Sequence, residues 1–209
     1  WLRRTRQAFW GMVFAALWRR TRESGETPPP AFSLLIRGGT VYDGSGGLPR
    51  VADIGIVRDR IAAIGDLGWM NGRVEIDARG LAVAPGFINS LSWATESIIE
   101  DATAESDMRQ GVTLEVFGEG LSMGPLNASM RGDLRLRRLG SRYPLDWNTL
   151  GEYLEFLEKR GVGVNVASLV GATTVRIHEL GHADRSPTAR ELTRMQSLVR
   201  QAMLEGALG

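Results

Sequence analysis

The sequence predicts an α/β protein in two parts, a small β-sandwich followed by a segment built on a parallel sheet. Three observations carry this reading. Residues 32–84 read as about five short strands broken by Gly turns. After Pro85-Gly86 strand and helix alternate, and that order argues a parallel sheet. Val162 to Val170 is a nearly continuous apolar run, as in a parallel strand buried on both faces.

The strands come first. Leu34-Leu35-Ile36 and Thr40-Val41-Tyr42 flank Gly38-Gly39, a turn signal that predicts a hairpin. Asp53 to Val57 alternates polar and apolar residues, Arg58-Asp59 leads into Arg60 to Gly65, and Val74 to Asp77 alternates again. In the second part Thr113 to Phe117 is β-branched and aromatic, a strand. Thr149 to Arg160 predicts a helix with Leu150, Tyr153, Leu154 and Leu157 on one face. Pro187 to Glu205 predicts another, capped by Ser186, started by Pro187 and ended by Gly206. Leu192, Met195, Leu198, Val199 and Ala202 line one of its sides. The organisation is therefore a leader and linker (1–31), a β domain (32–84) and an α/β segment (85–209).

Composition narrows the function classes. The chain is 43% hydrophobic and 23% charged, an ordinary globular balance. A net charge of +1 gives no electrostatic case for nucleic acid. There are no cysteines, which excludes disulfides and thiolate ligands and leaves the redox compartment open. His178 and His182 are the only histidines, so a His-rich metal site cannot be completed by these residues alone.

The leader is unusual. Six Arg stand against Glu23 and Glu26 in residues 1–30, and an apolar run from Ala8 to Trp18 lies between two basic clusters. As a helix it would span about 16 Å, short of the roughly 20 residues that cross a bilayer. Phe9, Trp10, Val13, Phe14, Leu17 and Trp18 share one face, which suits an interfacial membrane anchor. An export signal and an uncleaved leader are the other readings, and no small-residue cleavage site is present. Pro28-Pro29-Pro30 makes a stiff linker. The reading favours the cytoplasm, with export as the alternative.

Several segments, in order and at their spacing, resemble the amidohydrolase superfamily. Leu34 to Gly44 is similar to its opening strands, Asp53-Ile54-Gly55-Ile56 with Arg60 to Gly65 to the next two, and Asp77 to Ile88 to the stretch entering the first barrel strand. Arg109 to Thr113, Asn165 to Gly171, and Asp184-Arg185 with Thr188 resemble the N-acyl-D-amino-acid deacylase branch. The resemblance covers about residues 32–209. It implies a composite β-sandwich plus a (β/α)8 barrel, of which this chain holds about three βα units, an N-terminal fragment. It also implies a divalent metal, zinc by preference, and hydrolysis of a small-molecule linear amide, an N-acyl-D-amino acid. On this reading the catalytic acid–base group belongs to a later strand. No catalytic residue falls within these 209 residues, and the chain alone is expected to be inactive.

The chain also departs from the pattern. Where the family has His-x-His on the first barrel strand, this sequence has Leu91-Ser92-Trp93, and Asn89 stands in place of Asp. Leu and Trp have no lone pair for a metal, which counts against a binuclear site and leaves a mononuclear one open. Glu119 falls at or beside the position of the branch's metal-binding Cys and is the metal-ligand candidate; the alternative is a solvated loop glutamate. Ala172 stands where the branch often has His. Arg176 is kept and is the candidate for a substrate carboxylate, with loop bracing as the alternative.

A competing motif remains. His178-Glu179-Leu180-Gly181-His182 matches H-E-x-x-H, which in zinc proteases puts both His on one helical face. Pro187 follows closely, and no downstream Glu makes a convincing third ligand. Three readings thus stand: a metal-dependent deacylase, a divergent relative lacking the His-x-His site, and a zinc protease.

Overall fold

The computed structural model describes residues 31–137, 143 and 145–209. The leader and its membrane association lie outside them. Among the described residues no helix is long and apolar enough to cross a membrane. The chain divides into two compact units between Pro85 and Gly86.

The first unit holds β1 (Phe32–Val41), β2 (Arg50–Val57), β3 (Arg60–Gly65), β4 (Gly72–Asp77) and β5 (Ala82–Val83). They form one mixed sheet in the order β3-β2-β1-β4, with β5 also on β1. The strands expected as a sandwich therefore lie in a single sheet among the described residues. β1 is its axis: β2 runs antiparallel to it, and β4 and β5 run parallel.

The hairpin expected at Gly38-Gly39 is corrected. β1 runs straight through the pair, with a bulge between Ile36 and Gly39. Gly38 takes φ +62°, its N–H donates to Asp53 Oδ1 at 2.8 Å, and the Leu67 N–H donates to Asp53 Oδ2 at 3.1 Å. The Asp53 carboxylate replaces the ladder bond that the bulge removes. The chain first reverses at residues 42–49, between β1 and β2, and again at Arg58-Asp59, where Arg58 has φ 57° and β2 turns into β3.

In the second unit β6 (Phe87–Ser92), β7 (Val112–Phe117) and β8 (Asn165–Ser168) form a parallel sheet in that order. Six helices accompany it among the described residues: α1 (Ser97–Glu100), α2 (Glu105–Met108), α3 (Ala128–Arg137), α4 (Leu150–Arg160), α5 (Ala172–Leu180) and α6 (Ala189–Leu204). One face of the sheet is covered. Phe117 packs with Ile98 and Ile99 of α1, Leu150, Tyr153 and Leu157 of α4, and Trp147. Tyr153 Oη donates to Thr95 O at 2.6 Å and Trp147 Nε1 to Met123 O at 2.8 Å, so both large aromatics are buried with their polar atoms satisfied. Ile88 and Leu91 are more than half exposed. Val166 and Ala167 are half-buried, so the two-faced burial expected of β8 is not seen among the described residues.

β8 is shorter than its apolar run, four residues instead of nine. On its free edge the Leu208 N–H donates to Ser168 O at 2.9 Å and the Val170 N–H to Gly209 O at 2.8 Å, so residues 207–209 lie along the sheet after α6.

Both long helices start with a capping box. For α4 it is Thr149 with Glu152, at the expected position. For α6 it is Thr188 with Glu191, which corrects the Ser186 cap. The pair that decides is Thr188 and the Glu three residues on; Pro187 precedes the cap and does not occupy the first turn. Leu192 and Val199 of α6, expected on the buried side, are exposed, and Ala202 is buried. Thr188→Ala should lower stability by about 1 kcal/mol, and Ser186→Ala should change it by less than about 0.5 kcal/mol. Urea denaturation of the two variants side by side reads the difference; equal losses would return the cap to Ser186.

Candidate functional site

The carboxyl ends of parallel strands are where loops converge and ligands sit in folds of this class. Here that edge consists of Leu91 to Trp93 at the end of β6, Gly118 to Gly120 after β7, and Leu169 to Gly171 after β8. Backbone crowding sets its shape. Gly118 has φ +91°, and a Cβ there would lie 2.6 Å from Leu169 O. At Gly171 a Cβ would lie 2.6 Å from Gly120 O. Only glycine lets the β7 loop pass this close to the end of β8.

A buried clasp of hydroxyls holds the crossing. Ser122 Oγ donates to Gly124 O at 2.6 Å and accepts the Gly171 N–H at 2.9 Å. The Ser122 N–H donates to Thr174 Oγ1 at 2.8 Å, which donates in turn to Ser122 O at 3.3 Å. The Thr173 N–H donates to Gly120 O at 3.2 Å. The loop that carries Glu119 is thereby fixed to the first turn of α5, which carries Arg176.

Glu119 is exposed and has no hydrogen-bond partner among the described residues. Arg176 is half-buried, and its Nη2 donates to Ala183 O at 3.0 Å and Arg185 O at 2.7 Å. Part of its guanidinium therefore braces the loop after α5. Leu91 and Trp93 end β6 with exposures of 54% and 83%, apolar groups at the edge without a lone pair for a metal. Among the described residues no three of His, Cys, Asp and Glu come together. These residues do not make a metal site by themselves.

The zinc-protease geometry is corrected. α5 ends at Leu180 and Gly181 closes it, so His182 lies outside the helix and cannot share a face with His178. Glu179 pairs with Arg194 of α6 through Oε2, and its Oε1 lies 3.2 Å from His178 Nδ1. The would-be base is a bridge between two helices.

A cleft of about 200 Å³ is lined by Pro125, Asn148, Thr149, His178, Gln201 and Glu205, among others. Its acid is already engaged: Glu205 accepts the Gly151 N–H at the start of α4 at 2.9 Å, and Gln201 Nε2 at 2.9 Å. One residue that the sequence reading passed over is Glu115, inside β7 and 1% exposed. Its signal was a charged residue within an apolar strand. Burial, first of all, pushes its carboxyl above the ordinary carboxylate range.

No protein-family model matches the chain. D-aminoacylase of Alcaligenes xylosoxydans xylosoxydans is 37% identical over 180 residues, 85% of this chain and 37% of that protein. Crystal structures of D-aminoacylase, described as defining a subset of amidohydrolases and as having a binuclear metal center, match with a TM-score of 0.73 at 33% and 34% identity, over 85% of this chain and 38% of theirs. N-acyl-D-glutamate deacylase of Bordetella bronchiseptica, complexed with zinc and a phosphonate inhibitor, matches with a TM-score of 0.74 at 32% identity, over 85% of this chain and 37% of that one. The chain spans well under half the length of these relatives.

The separation of the two histidines has a measurable consequence. In the whole protein, replacing His178 and His182 together by Ala should leave zinc per chain unchanged by elemental analysis. Loss of one equivalent would restore a metal role to the motif.

Proposed function

We propose, from its membership of the D-aminoacylase branch of the amidohydrolases, that this chain is part of a hydrolase of linear, non-peptide amides whose substrate is an N-acyl-D-amino acid. What supports this is the kinship over 85% of the chain, together with a fold that puts Glu119 and Arg176 on segments clamped to each other at the carboxyl edge. On this reading residues 32–84 are the N-terminal part of the β domain, and residues 85–209 are the first three or so βα units of a barrel.

Within this reading a divalent metal, zinc, belongs to the whole protein, and the Bordetella bronchiseptica deacylase supports that choice. Residues 31–209 offer it one candidate ligand, Glu119. Arg176 is the candidate for the substrate carboxylate; with Nη2 committed to the loop, its Nε and Nη1 lie on different edges of the guanidinium and offer single hydrogen bonds, not a bidentate pair. None of the described residues is assigned to attack or protonate the amide, and residues 1–209 alone are proposed to be inactive.

A second reading is favoured by one observation. Leu91 and Trp93 replace a metal-binding pair with apolar surface, as expected of a divergent relative that binds or processes another substrate. Zinc per chain and hydrolysis of N-acetyl-D-amino acids, measured on the whole protein and on Glu119→Gln, separate the two. The deacylase reading expects turnover of D- over L-substrates, with zinc affinity falling at least about tenfold in the variant. Full zinc and activity in Glu119→Gln would make Glu119 an ordinary loop residue. Absence of turnover across the D-series would favour the divergent reading, and turnover by residues 1–209 alone would overturn the claim that they are inactive. Arg176→Lys should raise KM more than it lowers kcat.

A further inference from the structure

Glu115 sits in the middle of β7, opposite Asn89 of β6 and Val166 of β8. Phe117, two residues on and so on the same face, is in the core under the helices. Glu115 is 1% exposed, and neither of its carboxyl oxygens has a hydrogen-bond donor among the described residues. An ionised carboxylate in that position would lack both water and a partner, a costly state that proteins avoid by neutralising the group.

Its surroundings show what neutralises it. β6 contributes Ser92, buried, whose Oγ accepts the Ala94 N–H at 3.1 Å and so keeps its own hydrogen to donate. α2 contributes Asp107, a second carboxyl group, half-buried, whose Oδ2 accepts from Ser106 Oγ at 2.9 Å. β8 contributes no charge, only Val166. The charged group acting on Glu115 is thus another acid, and among the described residues no Arg, Lys or His accompanies it. α2, which carries Asp107, packs against β7, and so sets a second acid beside a carboxyl group that is sealed from solvent.

We propose that the protonated Glu115 carboxyl donates its O–H to the Asp107 carboxylate and so fastens α2 to β7, and that loss of this proton as pH rises loosens residues 101–111. In the bound state the Glu115 O–H donates to the Asp107 carboxylate. Release sends one proton to solvent and leaves two negative charges side by side. The direction of the Glu115 titration agrees: burial raises it most and Asp107 raises it further, while Ser92 acts the other way. The segment is built to move. Its residues are mostly exposed, and Ala104, a non-glycine, is held at φ 46° just before α2. The Gly163 N–H to Ala102 O bond at 2.7 Å ties it to the loop after α4, and the Phe87 N–H to Gly111 O bond at 2.8 Å ties its far end to β6. A proton needs no room, whereas a metal ion would need several more oxygen ligands than this pair and Ser92 supply.

The sign follows from linkage. Glu115 holds its proton more tightly in the folded state than at its ordinary value of 4.5. Its contribution is complete below that value and is lost as pH rises through the folded one. The test uses the whole protein, Glu115→Gln and Asp107→Asn, with urea denaturation followed from about pH 5 to pH 9, infrared detection of protonated carboxyl groups, and hydrogen exchange of residues 101–111. In the parent the unfolding constant should rise by up to about tenfold per pH unit in this window, with faster exchange in 101–111. Glu115→Gln, whose amide donates to Asp107 at every pH, should remove that dependence along with one protonated-carboxyl band. Identical pH dependence in parent and Glu115→Gln would overturn the proposal. So would midpoint gains on adding calcium or sodium that vanish in Glu115→Gln, because the pair would then hold a cation. Should Glu115→Gln fail to fold, the parent's infrared titration decides: a protonated carboxyl persisting above about pH 6 supports the pair, and its absence overturns it.

Discussion

The arrangement of the carboxyl edge depends on a requirement that every buried polar group find a partner where two loops cross. Ser122 and Thr174 meet it. Thr174 is fully buried and Ser122 nearly so, and between them they satisfy backbone groups from Ser122, Gly124 and Gly171 that helix and sheet leave open. The crossing is close because Gly118 and Gly171 carry no side chain. Its tightness and its hydrogen bonds are thus one constraint: without the glycines the loops could not approach, and without the hydroxyls the approach would strand peptide groups away from water. Glu119 and Arg176 inherit their positions from this junction.

Elements whose signals are local were legible in the sequence. The helix read over Thr149 to Arg160 from its apolar face is α4, Leu150–Arg160, with Thr149 and Glu152 as its cap. The errors came where one local pattern fits two structures. Ser186-Pro187 and Thr188-Glu191 both start helices, and the reciprocal pair prevails because it satisfies two amide groups where a lone serine satisfies one. Gly38-Gly39 suits a turn or a bulge equally well. What selects the bulge is Asp53, fifteen residues away and brought close only once β2 has paired with β1.

The site shows the same division. The composition of the H-E-x-x-H stretch is right for a zinc helix, but the motif needs one more helical turn than α5 has. Gly181, at φ 58°, ends the helix between the two histidines, and Glu179 is held by Arg194 across an interface that no window around the motif contains. Arg176 was legible as a cation with two roles, and the carbonyls of Ala183 and Arg185 show how far one of them engages it.

Two glutamates four residues apart, one within β7 and one just past its end, make the last step plain. Glu119 lies just past the end of β7, in water and without a partner, a position from which a carboxylate can meet a ligand. Glu115 lies within the strand, sealed from water, with a second acid as its charged neighbour. The side chains are identical, and their chemistry is divided by hydration: where water can reach the group the charge is stabilised by solvent, and where it cannot the proton is the least costly counter-charge available. β7 thus presents one acid just past its carboxyl end and keeps another within the strand. The part of the chain between α1 and β7, which has little apolar surface of its own to bury, is held to the sheet by the second.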